Sequence, residues 1–221
     1  MLLEKERIEV IEYGKRMILD GLTQGTGGNL SVLNSEKNLM AITPSGIDYL
    51  KLQPEDIVII DVESGKIVDG NRVPSSEGDM HRIFYKYRKD IKAVVHTHSK
   101  YATGLSCLGK KLPAIHYLLA VAGLDVPCAK YATYGTVQLA KNAFDAMVGT
   151  KATLLSNHGL LTGGESLSEA YNIAQNVEFC CELYSIAKTM GEPEILSEEE
   201  MRNVMERFKN YGKRIEEHDE I

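Results

Sequence analysis

Apolar residues recur at helical spacing along several stretches of the chain and alternate or cluster in short runs between them. Residues 2–22 place Ile8, Ile11, Ile18 and Leu22 on one side of a helix, with Gly21 and Gly25 bracketing its end. Short strand-like runs follow at Leu30 to Leu33, Leu39 to Thr43 and Ile57 to Asp61, punctuated by glycine and proline. Ser76, with Asp79 three residues on, opens a helix to about Arg88. Ala93 to His98 reads as a buried strand, and helices are expected over about 100–108 and 136–148. Strands at Ala152 to Asn157 and Gly159 to Thr162 flank a tight bend. Ser166 and Glu169 cap a long helix whose inward face carries Ala170, Ile173, Ala174, Val177, Cys181 and Tyr184, stopped by Gly191 and Pro193. Ser197 and Glu200 repeat the cap for a last helix through about Lys209. This alternation predicts an α/β domain, and the absence of a linker-like stretch predicts one domain over residues 1–221. It does not fix the strand order.

Composition adds limits rather than identity. The chain has 221 residues, 43% of them hydrophobic, and a formal net charge of -6. That length buries a substantial core without staples. The charge argues against a general nucleic-acid binder, which needs a basic face to displace counterions. No apolar run approaches the ~20 residues that cross a bilayer, and the charged start MLLEKERIEV predicts no secretion signal. Cys107, Cys128, Cys180 and Cys181 match no metal-ribbon spacing, and a cytoplasmic, reduced setting is expected.

Chemistry concentrates in a few segments. In His96-Thr97-His98 the period-2 geometry of a strand turns both imidazoles to one side, within reach of one metal ion. Alone the pair reads equally well as two ordinary histidines. His158 closes a second apolar run before a glycine turn, where it is either a turn residue or a third ligand. Three nitrogen ligands with an open position are the pattern of a catalytic zinc rather than a structural one. Glu77 is a fourth ligand, a general base or a charge complementing a helix dipole. His81, four residues on, shares its helix face and makes Glu77-His81 a rival ligand pair. Ser75 and Ser76 precede a helix, whose free N–H groups favour an anion; the plainer reading makes Ser76 an N-cap. Gly25 to Asn29 is glycine-rich but lacks the Lys-Ser/Thr ending of a nucleotide-binding loop. Thr43-Pro44-Ser45-Gly46 is a turn with two hydroxyls.

Together these stretches resemble the class II aldolase and adducin-head family. The residues that carry the resemblance are GTGGNLSV (25–32), ITPSGIDY (42–49), PSSEGDMH (74–81), VVHTHS (94–99), AIHYLLAVAG (114–123), KYATYGT (130–136), LLSNHGLL (154–161) and KNYGKRIEE (209–217). The resemblance implies a three-layer α/β/α domain around a largely antiparallel mixed sheet. It implies one zinc ion per subunit on His96, His98, His158 and Glu77, with Glu77 also the catalytic base. It implies phosphate contacts from Gly28, Asn29, Ser45, Gly46, Ser75 and Ser76. Tyr117 is implied as a proton donor to the site of a neighbouring subunit in a homotetramer. Tyr134 and Tyr211 are implied to close over the substrate, Tyr211 from a tail over about 209–221. The expected reaction is reversible cleavage of L-fuculose 1-phosphate to glycerone phosphate and L-lactaldehyde through a zinc-stabilised enediolate. Glu77, where the epimerase branch carries aspartate, favours cleavage over L-ribulose-5-phosphate 4-epimerisation, and the full ligand set argues against a non-catalytic, adducin-like module.

Overall fold

A computed structural model describes residues 1–34, 36 and 38–210. Among the described residues eight strands form one mixed sheet: β1 (Asn29–Asn34), β2 (Leu39–Ile42), β3 (Val58–Asp61), β4 (Ile67–Asp69), β5 (Ala93–Thr97), β6 (Cys128–Ala129), β7 (Ala152–Leu155) and β8 (Gly159–Gly164). Their spatial order is β4-β3-β2-β1-β5-β8-β7-β6. Every pairing is antiparallel except β6 with β7. The order places β5, which carries His96, between β1 and β8 at the centre of the sheet.

Helices cover both faces, and the alternation of the strands explains why. Leu30, Val32 and Val95 point to a core shared with α1 (Glu4–Leu19), α3 (Lys100–Ser106) and α5 (Leu167–Met190). Val94, Ile42, Val58 and Leu161 point to a second core, against α2 (Gly78–Tyr87) and α4 (Val137–Ala146). Each fully buried aliphatic side chain contributes about 1.5–3 kcal/mol relative to exposure. The three-layer α/β/α architecture is therefore present, as a single domain.

The long helix α5 buries Ala170, Ile173, Ala174, Val177, Cys180 and Cys181 as its periodicity predicts. Ser166 caps it by accepting from the Glu169 N–H, although the Glu169 carboxylate turns to the Glu165 N–H instead of completing the reciprocal box. Ser197 likewise accepts from Glu200 at the start of α6 (Glu198–Asn210). Two expectations need correction. Helix α1 buries Arg7, Val10, Ile11, Gly14 and Met17, while Ile8 is 43% exposed. Arg7 moves the buried face because its guanidinium bonds Asp69 of β4 and the carbonyls of Leu2, Pro54 and Ile57. Helix α2 begins at Gly78 with Glu77 as its N-cap, so Ser76 does not cap it.

Candidate metal centre and adjoining cleft

Three histidines meet at one end of the central strands. His96 is the fourth residue of β5, and His98 follows directly after its end; the two Nε2 atoms lie 3.0 Å apart. His158 sits in the turn between β7 and β8, which antiparallel pairing returns alongside β5. The residue before it, Asn157, takes a left-handed φ of 53°, which asparagine tolerates better than most residues. One ligand atom from each histidine falls within 4.8 Å of the others.

Glycines let these rings and strands approach. A Cβ on Gly159 would stand 2.3 Å from the Thr97 carbonyl oxygen, and one on Gly27 would stand 2.8 Å from His98 Nδ1. Gly28 combines a φ of +70° with a backbone position only 2.6 Å, Cβ to oxygen, from the His96 carbonyl. The Tyr49 hydroxyl donates to the Gly28 carbonyl and pins that loop. The glycine-rich segment is thus required first for packing against the histidine strand.

Glu77 faces the histidines from the start of α2. Its Oε2 is 3.3 Å from His96 Nε2, and its Oε1 is 3.4 Å from His158 Nε2. The His96 Nδ1–H donates to the Leu160 carbonyl, so His96 Nε2 presents a lone pair toward a carboxylate oxygen. Two acceptors face each other there, and Glu77 Oε1 is buried without a hydrogen-bond partner among the described residues. A cation between them resolves both conflicts. Burial pushes the His96 imidazole down to about 4 and lowers His98 as well. Burial pushes the Glu77 carboxyl the other way, but the neighbouring histidines and Asn29 outweigh it and hold it below the usual carboxylate value. Neutral imidazoles beside an ionised carboxylate are the protonation states that bind a divalent metal ion.

His81 is not a ligand. It is fully buried behind Asn29, with Nε2 2.6 Å from Asn29 Oδ1 and Nδ1 2.8 Å from Ser31 Oγ. The rival Glu77-His81 pair is therefore overturned: both ring nitrogens are already engaged.

A cleft of about 330 Å³ opens in front of this centre. Gly28, Asn29, Ser45, Gly46, Ser75, Ser76, Glu77, His98, His158 and Tyr134 all line it. The serine turns are held side by side by a short antiparallel bridge in which Ser45 N–H donates to Val73 O and Ser75 N–H to Thr43 O. The amino end of α2 follows, where the helix dipole favours an anion. The loop bearing Tyr134 rests on Ser76, since a Cβ on Gly135 would meet the Ser76 carbonyl oxygen at 3.2 Å. Thr26, Tyr131 and Asn157 also line the cleft and were not singled out from sequence. Tyr131 lies in the same KYATYGT stretch that flagged Tyr134, and its aromatic ring was the available signal.

Tyr117 stands apart from the cleft. It opens a short 3-10 helix, Tyr117–Val121, is 48% exposed, and has ring neighbours in His116 and Phe208 of α6. Tyr211 and the tail beyond it lie outside the described residues. All four cysteines are free, with Cys180 and Cys181 buried in the core. Among the described residues no helix is long and apolar enough to cross a membrane.

Comparison with known proteins agrees with this geometry. The family model for the class II aldolase and adducin N-terminal domain matches residues 8–185. A 5-deoxy-D-ribulose 1-phosphate aldolase from Bacillus thuringiensis is 50% identical over 212 residues, covering 96% of this chain and 99% of that protein. The L-fuculose phosphate aldolase of Escherichia coli K12 is 43% identical over 211 residues, covering 95% of this chain and 96% of its own. A solved L-fuculose 1-phosphate aldolase superposes with a TM-score of 0.91 at 53% identity, over 93% of this chain and 96% of that one.

Proposed function

We propose that this chain, which belongs to the class II aldolase and adducin N-terminal domain family and is a metal-dependent sugar-phosphate aldolase, releases glycerone phosphate from a 1-phosphorylated 2-ketose by breaking the C3–C4 bond. The observation that carries this reading is the cluster of His96, His98, His158 and Glu77 at the floor of a cleft walled by serine turns. L-Fuculose 1-phosphate is the first candidate substrate and leaves L-lactaldehyde. The B. thuringiensis relative supports a second, 5-deoxy-D-ribulose 1-phosphate, which shares the phosphate half and leaves a smaller aldehyde.

His96, His98 and His158, with Glu77 as fourth donor, would hold the metal ion, and three imidazoles favour zinc. Bound there, the ion would act as a Lewis acid on the negative charge that develops over the glycerone phosphate half. The residues supply the rest. Ser45, Ser75 and Ser76, with the backbone at Gly28, Asn29 and Gly46, would anchor the phosphate, a non-reacting group whose binding orients the carbonyl. In the condensation direction the ionised Glu77 would take the proton from C3 of the glycerone phosphate half as the C3–C4 bond forms, and the Tyr117 hydroxyl would donate its proton to the aldehyde oxygen that becomes the C4 hydroxyl. Cleavage would run both transfers in reverse. The half-exposed ring of Tyr117 and its position away from its own cleft support contribution to a second subunit's site, and with it a homotetramer. Tyr134 would cover the aldehyde half, and Tyr211 would follow from the tail. Four free cysteines fit a reducing cytoplasm.

A coupled assay for glycerone phosphate tests the reading with L-fuculose 1-phosphate, 5-deoxy-D-ribulose 1-phosphate and L-ribulose 5-phosphate, with and without a chelator. Chelator-sensitive release from one of the first two is expected, and the faster one names the substrate. No release, with L-ribulose 5-phosphate turned into its C4 epimer, would replace cleavage by epimerisation.

A further inference from the structure

We infer that Tyr85, Ser31 and His81 form a positioning relay that acts through Asn29 to fix the Glu77 carboxylate, leaving Oε1 as its working oxygen. The inference rests on the role given to Glu77 above. It concerns residues that the resemblance left without a role, and it gives the Asn29 side chain a different one from phosphate binding.

The direction of every hydrogen in the chain follows from the chemistry at its end. An ionised carboxylate only accepts, so the Asn29 nitrogen 2.7 Å from Glu77 Oε2 donates. The other face of the amide is then Oδ1, which can only accept from His81 Nε2, 2.6 Å away. In a neutral, buried imidazole a protonated Nε2 leaves Nδ1 bare. Ser31 Oγ, 2.8 Å from that nitrogen, donates to it. Ser31 in turn receives the Tyr85 hydroxyl hydrogen across 2.6 Å. All four residues are buried, so reversing any one bond would leave a donor or acceptor unpaired away from water.

The sequence makes this possible through two periodicities. Asn29 and Ser31 are alternate residues of β1 and point to the same face of the sheet. Glu77, His81 and Tyr85 recur every four residues along the α2 side of that face. The result is a zipper between one strand and one helix. His81 and Tyr85 do not line the cleft, and the side-chain hydrogen bonds that link His81 to Glu77 run through Asn29. The relay holds one carboxylate oxygen, Oε2, and spares the other, Oε1, which is buried without a hydrogen-bond partner among the described residues.

Two measurements test the relay. In the wild-type protein, long-range ¹H–¹⁵N NMR of the imidazoles reads the His81 tautomer with and without zinc. The Nε2–H form is expected in both. An Nδ1–H form would overturn the relay even if no sugar phosphate were ever turned over, which separates its failure from that of the aldolase reading. Kinetics then ask whether the relay matters. His81→Leu is expected to lower kcat about 10–100-fold, with KM within twofold and full zinc content. His81→Gln, which keeps a donor, should recover most of the loss. In a Glu77→Gln background His81→Leu should change nothing further. Wild-type kcat in a folded His81→Leu protein, or the same fold-loss in both backgrounds, would reduce the chain to packing. Should His81→Leu not fold, the tautomer decides.

Discussion

At the floor, behind the residues that line the cleft, His96 has no exposed surface, while Tyr134 at the mouth is 69% exposed. At the floor each group has partners from two or three directions: the Leu160 carbonyl fixes His96, Asn29 fixes Glu77, and Gly28 and Gly159 press on the histidine strand. At the mouth the serine turns are held by backbone bonds and line the cavity. The contrast separates two tasks. Binding a cation and moving a proton need positions fixed to a fraction of an ångström. Accepting one sugar phosphate rather than another depends on side chains that can change without disturbing that floor, which is how relatives with different named substrates remain close in sequence.

The sharpest way to break the comparison is to strike the floor. His98→Ala is expected to lose the metal and all measurable aldol cleavage together, as read by elemental analysis beside the coupled assay. Activity surviving with metal content restored would move the ion elsewhere. Gly159→Ala touches no substrate, yet its Cβ would meet backbone at 2.3 Å. It should destabilise the metal-free protein by about 3 kcal/mol or more, measured by urea denaturation; an unchanged midpoint would show that the floor is not tightly packed. Ser76→Ala probes the mouth and should have the smallest effect. A hydrogen bond to a charged group contributes about 1.5–3 kcal/mol, so KM should rise about 10- to 160-fold, with kcat and the urea midpoint nearly unchanged. A loss of stability there would erase the distinction between the halves.

The same division governs what could be read from the chain alone. His96 and His98 were legible because the period of a strand is local, and the α5 face because helical period persists over many turns. The strand order was not legible. Placing β5 between β1 and β8 depends on pairings between residues more than sixty apart, such as His96 with Leu161. Two short strands, β4 and β6, carry no pattern of their own; β6 is two residues held by pairing with β7. His81 looked like a ligand because helical spacing puts it on the Glu77 face. Only the position of Asn29 shows that an amide stands between them. Ile8 was expected inside, and nothing local announces that Asp69 and three carbonyls await the Arg7 guanidinium.

The sheet order also sets a timetable. During synthesis His96 and His98 leave the ribosome some sixty residues before His158, and β8 must then fold back beside β5 before the third imidazole arrives. No shorter nascent chain owns the complete ligand set. Until residue 158 has emerged, an ion can engage no more than Glu77, His96 and His98, so the complete site forms only after β7 and β8 have been made.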